Sequence, residues 1–213
     1  MNSLKKFLAI GFFCVAGMFS TETLSFFRKR NSEKRVIRKI ESHFRGLKEV
    51  AKSFFSCKKK VCEAKINYAV ANFAYAQSPL NGLAGFCYAV DRLQKAEEGL
   101  KKESQKAEEA LERVPEDFLN DLAKVFAKSE VPQEVSSQLS KEFSIGAKLF
   151  SHKRPTATKR FFMQVLVDCY KNGDADEKRK KDCDLGGYEL SRFFGINFQS
   201  ILERLEKDFE QEL

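Results

Sequence analysis

Residue types that catalysis and metal binding usually require are scarce in this sequence. There are only two histidines, His43 and His152, and they form no His-x-x-x-His pair. Gly-x-Ser-x-Gly, a phosphate-binding glycine-rich loop and Cys-x-x-Cys are all absent, so the usual signals of a hydrolase, a nucleotide-binding enzyme and a zinc site are missing. We therefore predict a non-enzymatic protein with no cofactor and no metal, in which both histidines are surface residues.

Strand patterns are missing as well. No segment alternates apolar and polar residues over a useful length, whereas apolar residues recur every three or four positions through most of the chain. With 43% hydrophobic residues and 21 phenylalanines, the chain can bury one real core. We predict an all-α, single-domain bundle of six or seven helices joined by short turns.

The spacing of apolar residues also predicts where the helices lie. Pro115 and Pro132 are expected to open helices, because proline suits a first helical turn, and Gly195 is expected to break the last helix near its start. The predicted helices cover residues 32–55, 66–77, 83–114, 115–126, 132–150, 161–170 and 188–209.

Residues 1–25 have the pattern of a secretory signal peptide. Two lysines precede an uncharged apolar run from Phe7 to Phe19, which is shorter than the roughly 20 residues of a membrane-spanning helix. We predict cleavage between residues 17 and 25, a basic linker over 26–32 and a helical domain over 33–213. The predicted location is secreted or periplasmic, and the alternative is a membrane anchor formed by an uncleaved N-terminal segment.

Positive charge is concentrated in one segment of the chain. Residues 28–60 contain 13 Lys or Arg and three Glu, a net charge of +10, whereas residues 61–213 have a net charge of −3. The first helix is therefore amphipathic with a basic face, which attracts acidic proteins or anionic membrane surfaces, although an ordinary solvated face fits the same pattern. The predicted partner-binding residues are Arg35, Arg38, Lys39 and Arg45.

Five cysteines follow the predicted signal peptide, which suits an oxidising compartment. We predict a disulfide between Cys169 and Cys183, which would close about 15 residues and stabilise the fold by roughly 3 kcal/mol. Cys57 and Cys62 would pair if the chain turned between them, whereas in a continuous helix they would point apart. We predict the turn and this second disulfide, which leaves Cys87 as a buried, unpaired thiol.

The stretch 165–187 looks at first like a calcium loop. Counting from Asp168 places Gly173 at the required sixth position, but Tyr170 falls at the third position and Arg179 at the twelfth, where an EF-hand needs acidic ligands. The lysines and arginine at 178–181 also nearly neutralise the nearby acids. We predict a polar surface loop closed by the Cys169–Cys183 disulfide, and no metal site.

Together these features predict an exported, non-enzymatic interaction protein whose basic first helix engages an acidic partner or an anionic membrane surface. Peripheral membrane contact is compatible with this prediction, and nucleic acid is not expected as a partner. The alternative is a helical carrier of an apolar ligand such as a lipid, because a phenylalanine-rich bundle can enclose a pocket.

Overall fold

The chain is helical through almost all of its described length. The computed structural model describes residues 21–115, 117–173 and 177–203, with side chains from residue 29 onward except at 172 and 173. No strand occurs in these ranges, so the prediction of an all-helical bundle is confirmed. Most of the predicted signal peptide, residues 1–20, lies outside the described residues. The chain divides into two compact units, residues 1–39 and 40–213, which are described separately.

Within the described ranges the helices, numbered in chain order, follow one another with short connections. Prolines occupy the first position of three of them, where the missing N–H is not needed. The helices are α1 Thr21–Gln77, α2 Pro79–Leu111, α3 Phe118–Lys128, α4 Pro132–Gln138, α5 Ser144–Lys153, α6 Pro155–Gly173 and α7 Glu177–Phe194, with a 3-10 turn at Lys141–Phe143 and a helical segment at 198–203.

Helix α1 is continuous from Thr21 to Gln77, which corrects two predictions. Residues 26–32, predicted as a linker, are helical, and the turn predicted between Cys57 and Cys62 is absent. Both thiols are free, and a spacing of five residues on one helix points them apart, so the predicted bond between them is not formed. The helix continues because Val61 and Ala64 stay buried and extend its apolar stripe past the lysines.

Phe44 of α1 lies at the centre of the core of residues 40–213 and is fully buried. Its ring meets Phe118 of α3 at a centroid distance of 5.3 Å, and Phe193 and Phe194 of α7 at 5.8 Å each. Phe150 of α5 completes the group at 6.3 Å. These edge-on contacts are the geometry that aromatic rings prefer, and they join four helices at one residue.

Helices α1 and α5 cross closely because α5 has a glycine at the crossing. A Cβ at Gly146 would collide with the carbonyl oxygen of Phe44 and lie 3.2 Å from Cβ of Leu47. The absence of a side chain therefore sets the distance between the two helices and allows Phe44 to reach the core.

The end of α1 and the start of α2 form an antiparallel hairpin that turns at Ser78. Phe86 stacks on Tyr75 at 5.1 Å and contacts Tyr68 at 5.7 Å. A Cβ at Gly82 would lie 2.6 Å from Cα of Tyr75, so the helices touch backbone to backbone near the turn. Cys87, predicted to be buried, is exposed because it lies one residue past Phe86 and points away from α1.

The helix predicted over 132–150 is interrupted in the structure. Helix α4 ends at Gln138, and a 3-10 turn precedes α5. The Glu41 carboxylate accepts a hydrogen bond from the backbone N–H of Ser140 at 2.6 Å, and Ser140 Oγ accepts from the N–H of Glu142 at 3.2 Å. These side-chain acceptors satisfy the amide groups that the interruption exposes.

The polar loop predicted between Cys169 and Cys183 is largely helical. Helix α6 runs to Gly173, past the predicted end at residue 170, and α7 begins at Glu177. Residues 174–176 lie outside the described residues, as does the side chain of Asn172. The helix predicted over 188–209 is interrupted at Gly195 as expected: α7 ends at Phe194, Gly195 has a φ of +70°, and the chain becomes helical again at 198–203.

We predict that Gly146→Ala destabilises the protein by about 1–3 kcal/mol, because the methyl group overpacks the α1–α5 crossing. Gly46→Ala is the matched control, since Gly46 is an exposed position in α1 where an added methyl group would meet no other atom within 4 Å. Alanine there should stabilise the helix by up to about 1 kcal/mol. Denaturant unfolding of both variants measures the difference. Equal effects of the two substitutions would contradict the close crossing.

Candidate anionic-surface interface

Three of the four predicted partner-binding residues, Arg35, Arg38 and Lys39, lie in the first unit. All three are exposed on α1, and their spacing places them on one half of the helix circumference. Within the described ranges no acidic side chain pairs with Arg35 or Arg38. Together with Asn31 and Ser32, these two arginines line an open depression on the surface of this unit.

Arg45, the fourth predicted residue, belongs to the second unit and has local contacts of its own. Its guanidinium lies over the Phe143 ring at 4.8 Å from the centroid, a cation–π contact. Lys48, one turn further along, pairs with Glu142 at 2.7 Å, and the hydrogen bond from Lys48 lowers the pKa of that carboxyl. Arg45 is exposed, but its guanidinium is already packed on the bundle.

The chemistry of the first-unit residues is that of anion binding. Arginine presents a planar fork of donors that matches phosphate and carboxylate oxygens, and it keeps its charge at any physiological pH. Residues 29–39 carry six basic side chains and one acidic one, Glu33. The amphipathic pattern placed these residues correctly on an exposed face, whereas it gave no indication that Arg45 packs on Phe143.

The two histidines differ from each other in their surroundings. His43 is half-buried, with its ring centroid 6.0 Å from that of Phe118, which makes it part of the core and not the surface residue that was predicted. His152 is exposed but contacts the rings of Phe54 at 5.6 Å and Phe55 at 6.1 Å. Lys58 Nζ lies 3.3 Å from its Nε2 atom. Burial, and then the charges of Lys58 and Lys153, lower the pKa of His152.

Cys169 and Cys183 are completely buried where α6 meets α7. Their sulfurs approach to 3.0 Å, which is a hydrogen-bonding contact and longer than a disulfide bond. The hydrogen bond that Cys169 donates to Cys183, together with burial, raises the pKa of Cys169, whereas the same bond lowers the pKa of Cys183. Cys183 is therefore the thiol that ionises first.

Neighbouring side chains hold the same junction. Tyr170 donates a hydrogen bond to Asp184 at 2.8 Å, and burial and this bond raise the pKa of the phenol. Arg179 donates to the carbonyl oxygens of Ser129 and, at 2.7 Å, of Ala127 at the end of α3. This contact satisfies carbonyl groups that the end of a helix leaves without a partner. The sequence indicated only that Arg179 neutralises nearby acidic residues and did not predict the contact.

A second feature that the sequence pattern did not predict is the hairpin tip, which we define as residues 66–90. It contains no Lys, Arg, Asp, Glu or His, and several of its large apolar side chains are exposed. The absence of charge over this run is the signal in the sequence that could have identified it. Among the described residues, no helix is both long enough and apolar enough to cross a membrane.

The fold and surface define an all-helical bundle protein with a basic helix and an uncharged hairpin. No protein-family model matches the chain, and no solved structure matches it. The chain is similar over 85 residues, at 35% identity, to the signal recognition particle receptor FtsY of Streptococcus mutans serotype c (strain ATCC 700610 / UA159). That match covers 39% of this chain and only 16% of the receptor, so it does not place the chain in a family.

We predict that Lys58→Met raises the pKa of His152, because it removes the nearest positive charge. NMR titration of the ring protons measures the pKa, and Lys60→Met is the control, since Lys60 is exposed on the same helix.

In the unaltered protein the pKa of His152 lies below the ordinary value of 6.5. The unfolded chain then binds more protons between these two values, so the free energy of unfolding falls as the pH is lowered through that window. A His152 pKa at or above 6.5 in the unaltered protein would contradict the contact.

Proposed function

We propose that this protein is exported and acts as a non-enzymatic interaction protein, and that the basic part of α1 engages an anionic membrane surface or an acidic partner. The observation that carries the proposal is that Arg35 and Arg38 are exposed and form no ion pair with an acidic side chain of the described residues. An arginine pair of this kind attracts anions at long range and binds phosphate or carboxylate groups on contact.

The distribution of charge supports the same proposal. The excess of positive charge lies almost entirely in residues 28–60, while the rest of the helical domain is slightly acidic. A chain with this asymmetry is attracted to a negative surface through its basic segment, and the attraction weakens within about 10 Å at 0.1 M salt. Binding through α1 should therefore depend steeply on ionic strength.

Export to an oxidising compartment is the second part of the proposal, and the buried thiol pair supports it. Because both thiols are buried in the folded protein, the bond would form during folding, when one thiol attacks an external disulfide and the other then attacks the mixed disulfide. One intramolecular S–S bond forms, and the external disulfide takes up two electrons and two protons as it becomes two thiols. The sulfurs need to approach by about 1 Å to reach the bond length of about 2.05 Å.

The alternative function, a carrier for an apolar ligand, draws on an open hollow in the second unit. This hollow is lined in part by Phe55, Pro155 and Ile196. Its volume of about 300 Å³ is at the lower end of the range for ligand pockets. Binding of an apolar ligand there would be insensitive to salt, and this separates the carrier from a protein that binds through charge.

We predict that reversing the charge of Arg35, Arg38, Lys39 and Arg45 to Glu weakens binding to vesicles of phosphatidylcholine and phosphatidylglycerol, or to an acidic partner recovered by pull-down. Vesicle sedimentation at low and high salt measures the loss. The matched control reverses four exposed basic residues elsewhere, Lys124, Lys141, Lys159 and Arg160. Equal binding by the two variants would show that the basic helix is only a solvated face, and salt-independent capture of an apolar ligand would favour the carrier.

We predict that the exported protein has one disulfide, between Cys169 and Cys183, with Cys57, Cys62 and Cys87 free. Alkylation after denaturation without reductant, followed by intact-mass measurement, should therefore spare two cysteines. Reduction should lower the free energy of unfolding by about 3 kcal/mol, and it should have no effect on a Cys169→Ala, Cys183→Ala variant. Alkylation of both cysteines without reductant would contradict the bond and remove this support for an oxidising destination.

A further inference from the structure

We propose that the hairpin tip, residues 66–90, inserts into one leaflet of an anionic phospholipid bilayer. This surface is separate from the basic helix, and the proposal stands whether or not Arg35 and Arg38 bind anything. The tip consists of the last three turns of α1, the turn at Ser78 and the first three turns of α2. It is bounded by Lys65 on one helix and Asp91 on the other, with no charged residue between them.

The exposed side chains of the tip are large and apolar. Ile66, Val70 and Phe73, which share one face of α1, are 65%, 65% and 67% exposed, and Leu80 at the turn is 96% exposed. Leu83, Tyr88 and Val90 of α2 are exposed as well. Soluble proteins rarely leave this much contiguous apolar surface in contact with water, so the tip is a site of interaction.

The arrangement of these side chains favours lipid over a protein groove. Tyr68 and Tyr75 contact Phe86 and so mark the side of α1 that faces α2. The helical spacing places the exposed apolar residues of α1 on the opposite side. On α2, Tyr88 and Val90 are about 200° apart around the helix axis and yet both are exposed. A protein groove would cover one side of the hairpin, whereas lipid chains surround it.

The backbone of the turn is suited to an environment without water. The N–H of Ser78 donates to the carbonyl of Ala74 at 3.0 Å, the N–H of Gly82 donates to the carbonyl of Ser78 at 2.8 Å, and Pro79 has no N–H to satisfy. The N–H groups of Leu80 and Asn81, in the first turn of α2, have no intrahelical acceptor and no side-chain cap from Ser78. Beyond that turn the helical segments satisfy their amides internally, as a segment that enters a bilayer requires. Each arm of about 12 residues is about 18 Å long, close to half of the roughly 30 Å hydrocarbon core.

Positive charge surrounds the base of the tip, which is where lipid headgroups would lie. Residues 58–65 contain four lysines and one glutamate, and residues 91–102 contain four basic and three acidic residues. Among the acids, Asp91 is paired with Lys95 at 2.8 Å and Glu97 lies 3.6 Å from Lys65. This basic collar complements the negative headgroups of an anionic leaflet, to which each nearby Lys or Arg is attracted.

The test uses the exposed thiol of Cys87 as a reporter within the tip. Full-length protein with Cys14, Cys57 and Cys62 replaced by Ser carries an environment-sensitive fluorophore at Cys87, while Cys169 and Cys183 are buried in the folded protein. With vesicles of phosphatidylcholine and phosphatidylglycerol we expect a blue shift of emission, and quenching by lipids that carry a nitroxide in the acyl chain. The label reports the tip alone, so contributions from the N-terminal segment do not obscure the result.

A pair of substitutions tests the apolar contact. Phe73→Glu with Leu80→Glu should weaken the vesicle-dependent shift roughly tenfold or more, because charged groups are costly to bury in hydrocarbon. Both side chains are exposed, so the fold should be retained. Leu185→Glu is the control, since Leu185 is an exposed leucine of α7 outside the tip, and this substitution should leave the shift unchanged.

Two outcomes would overturn the inference. One is a Cys87 fluorophore that stays in an aqueous environment at saturating vesicle concentration. The other is a blue shift that appears without vesicles and rises with protein concentration, accompanied by a dimer in light scattering, which would make the tip a contact between two copies. The variant with Arg35, Arg38, Lys39 and Arg45 reversed tests a different surface. If it bound vesicles more weakly but still showed the Cys87 emission shift, the basic helix would contribute to binding and the insertion of the hairpin tip would still hold.

Discussion

The contact of the Phe44 ring with four other phenylalanine rings determines how the second unit is built. Those rings come from α3, α5 and α7, so one residue of α1 fixes the position of three other helices. The glycine at position 146 allows this contact, because it lets α5 approach the backbone beside Phe44. With α1 held here on its apolar face, its opposite face remains exposed and its C-terminal part is available to form the hairpin with α2.

Helix periodicity was the part of the structure that the sequence predicted best. Pro132 opens α4 as expected, whereas Pro115 lies three residues before α3 and not in its first turn. The turn near Ser78 is present, and Gly195 interrupts the C-terminal helical region. The exposure of Arg35 and Arg38 also followed from the amphipathic pattern. These features depend on local spacing and on backbone preferences, which a single sequence contains.

The failures arose where a contact distant in sequence decides the local structure. A turn was predicted between Cys57 and Cys62 so that the two could pair, but burial of Val61 and Ala64 keeps the helix intact and leaves the three lysines between the cysteines in water. The charged stretch around Arg179 was expected to be a loop, yet Arg179 reaches the carbonyls at the end of α3. The break after α4 depends on Glu41, which is 99 residues away from Ser140.

The unbroken course of α1 between Phe44 and the turn limits how the length of this chain could vary. Each inserted residue would rotate everything beyond it by about 100° around the helix axis, so a single insertion between Phe54 and Val61 would turn the hairpin to face a different direction. An insertion of seven residues would leave a rotation of only about 20° and extend the arm by about 10 Å. Homologous chains should therefore differ in arm length by whole heptads if the hairpin keeps its orientation relative to the bundle.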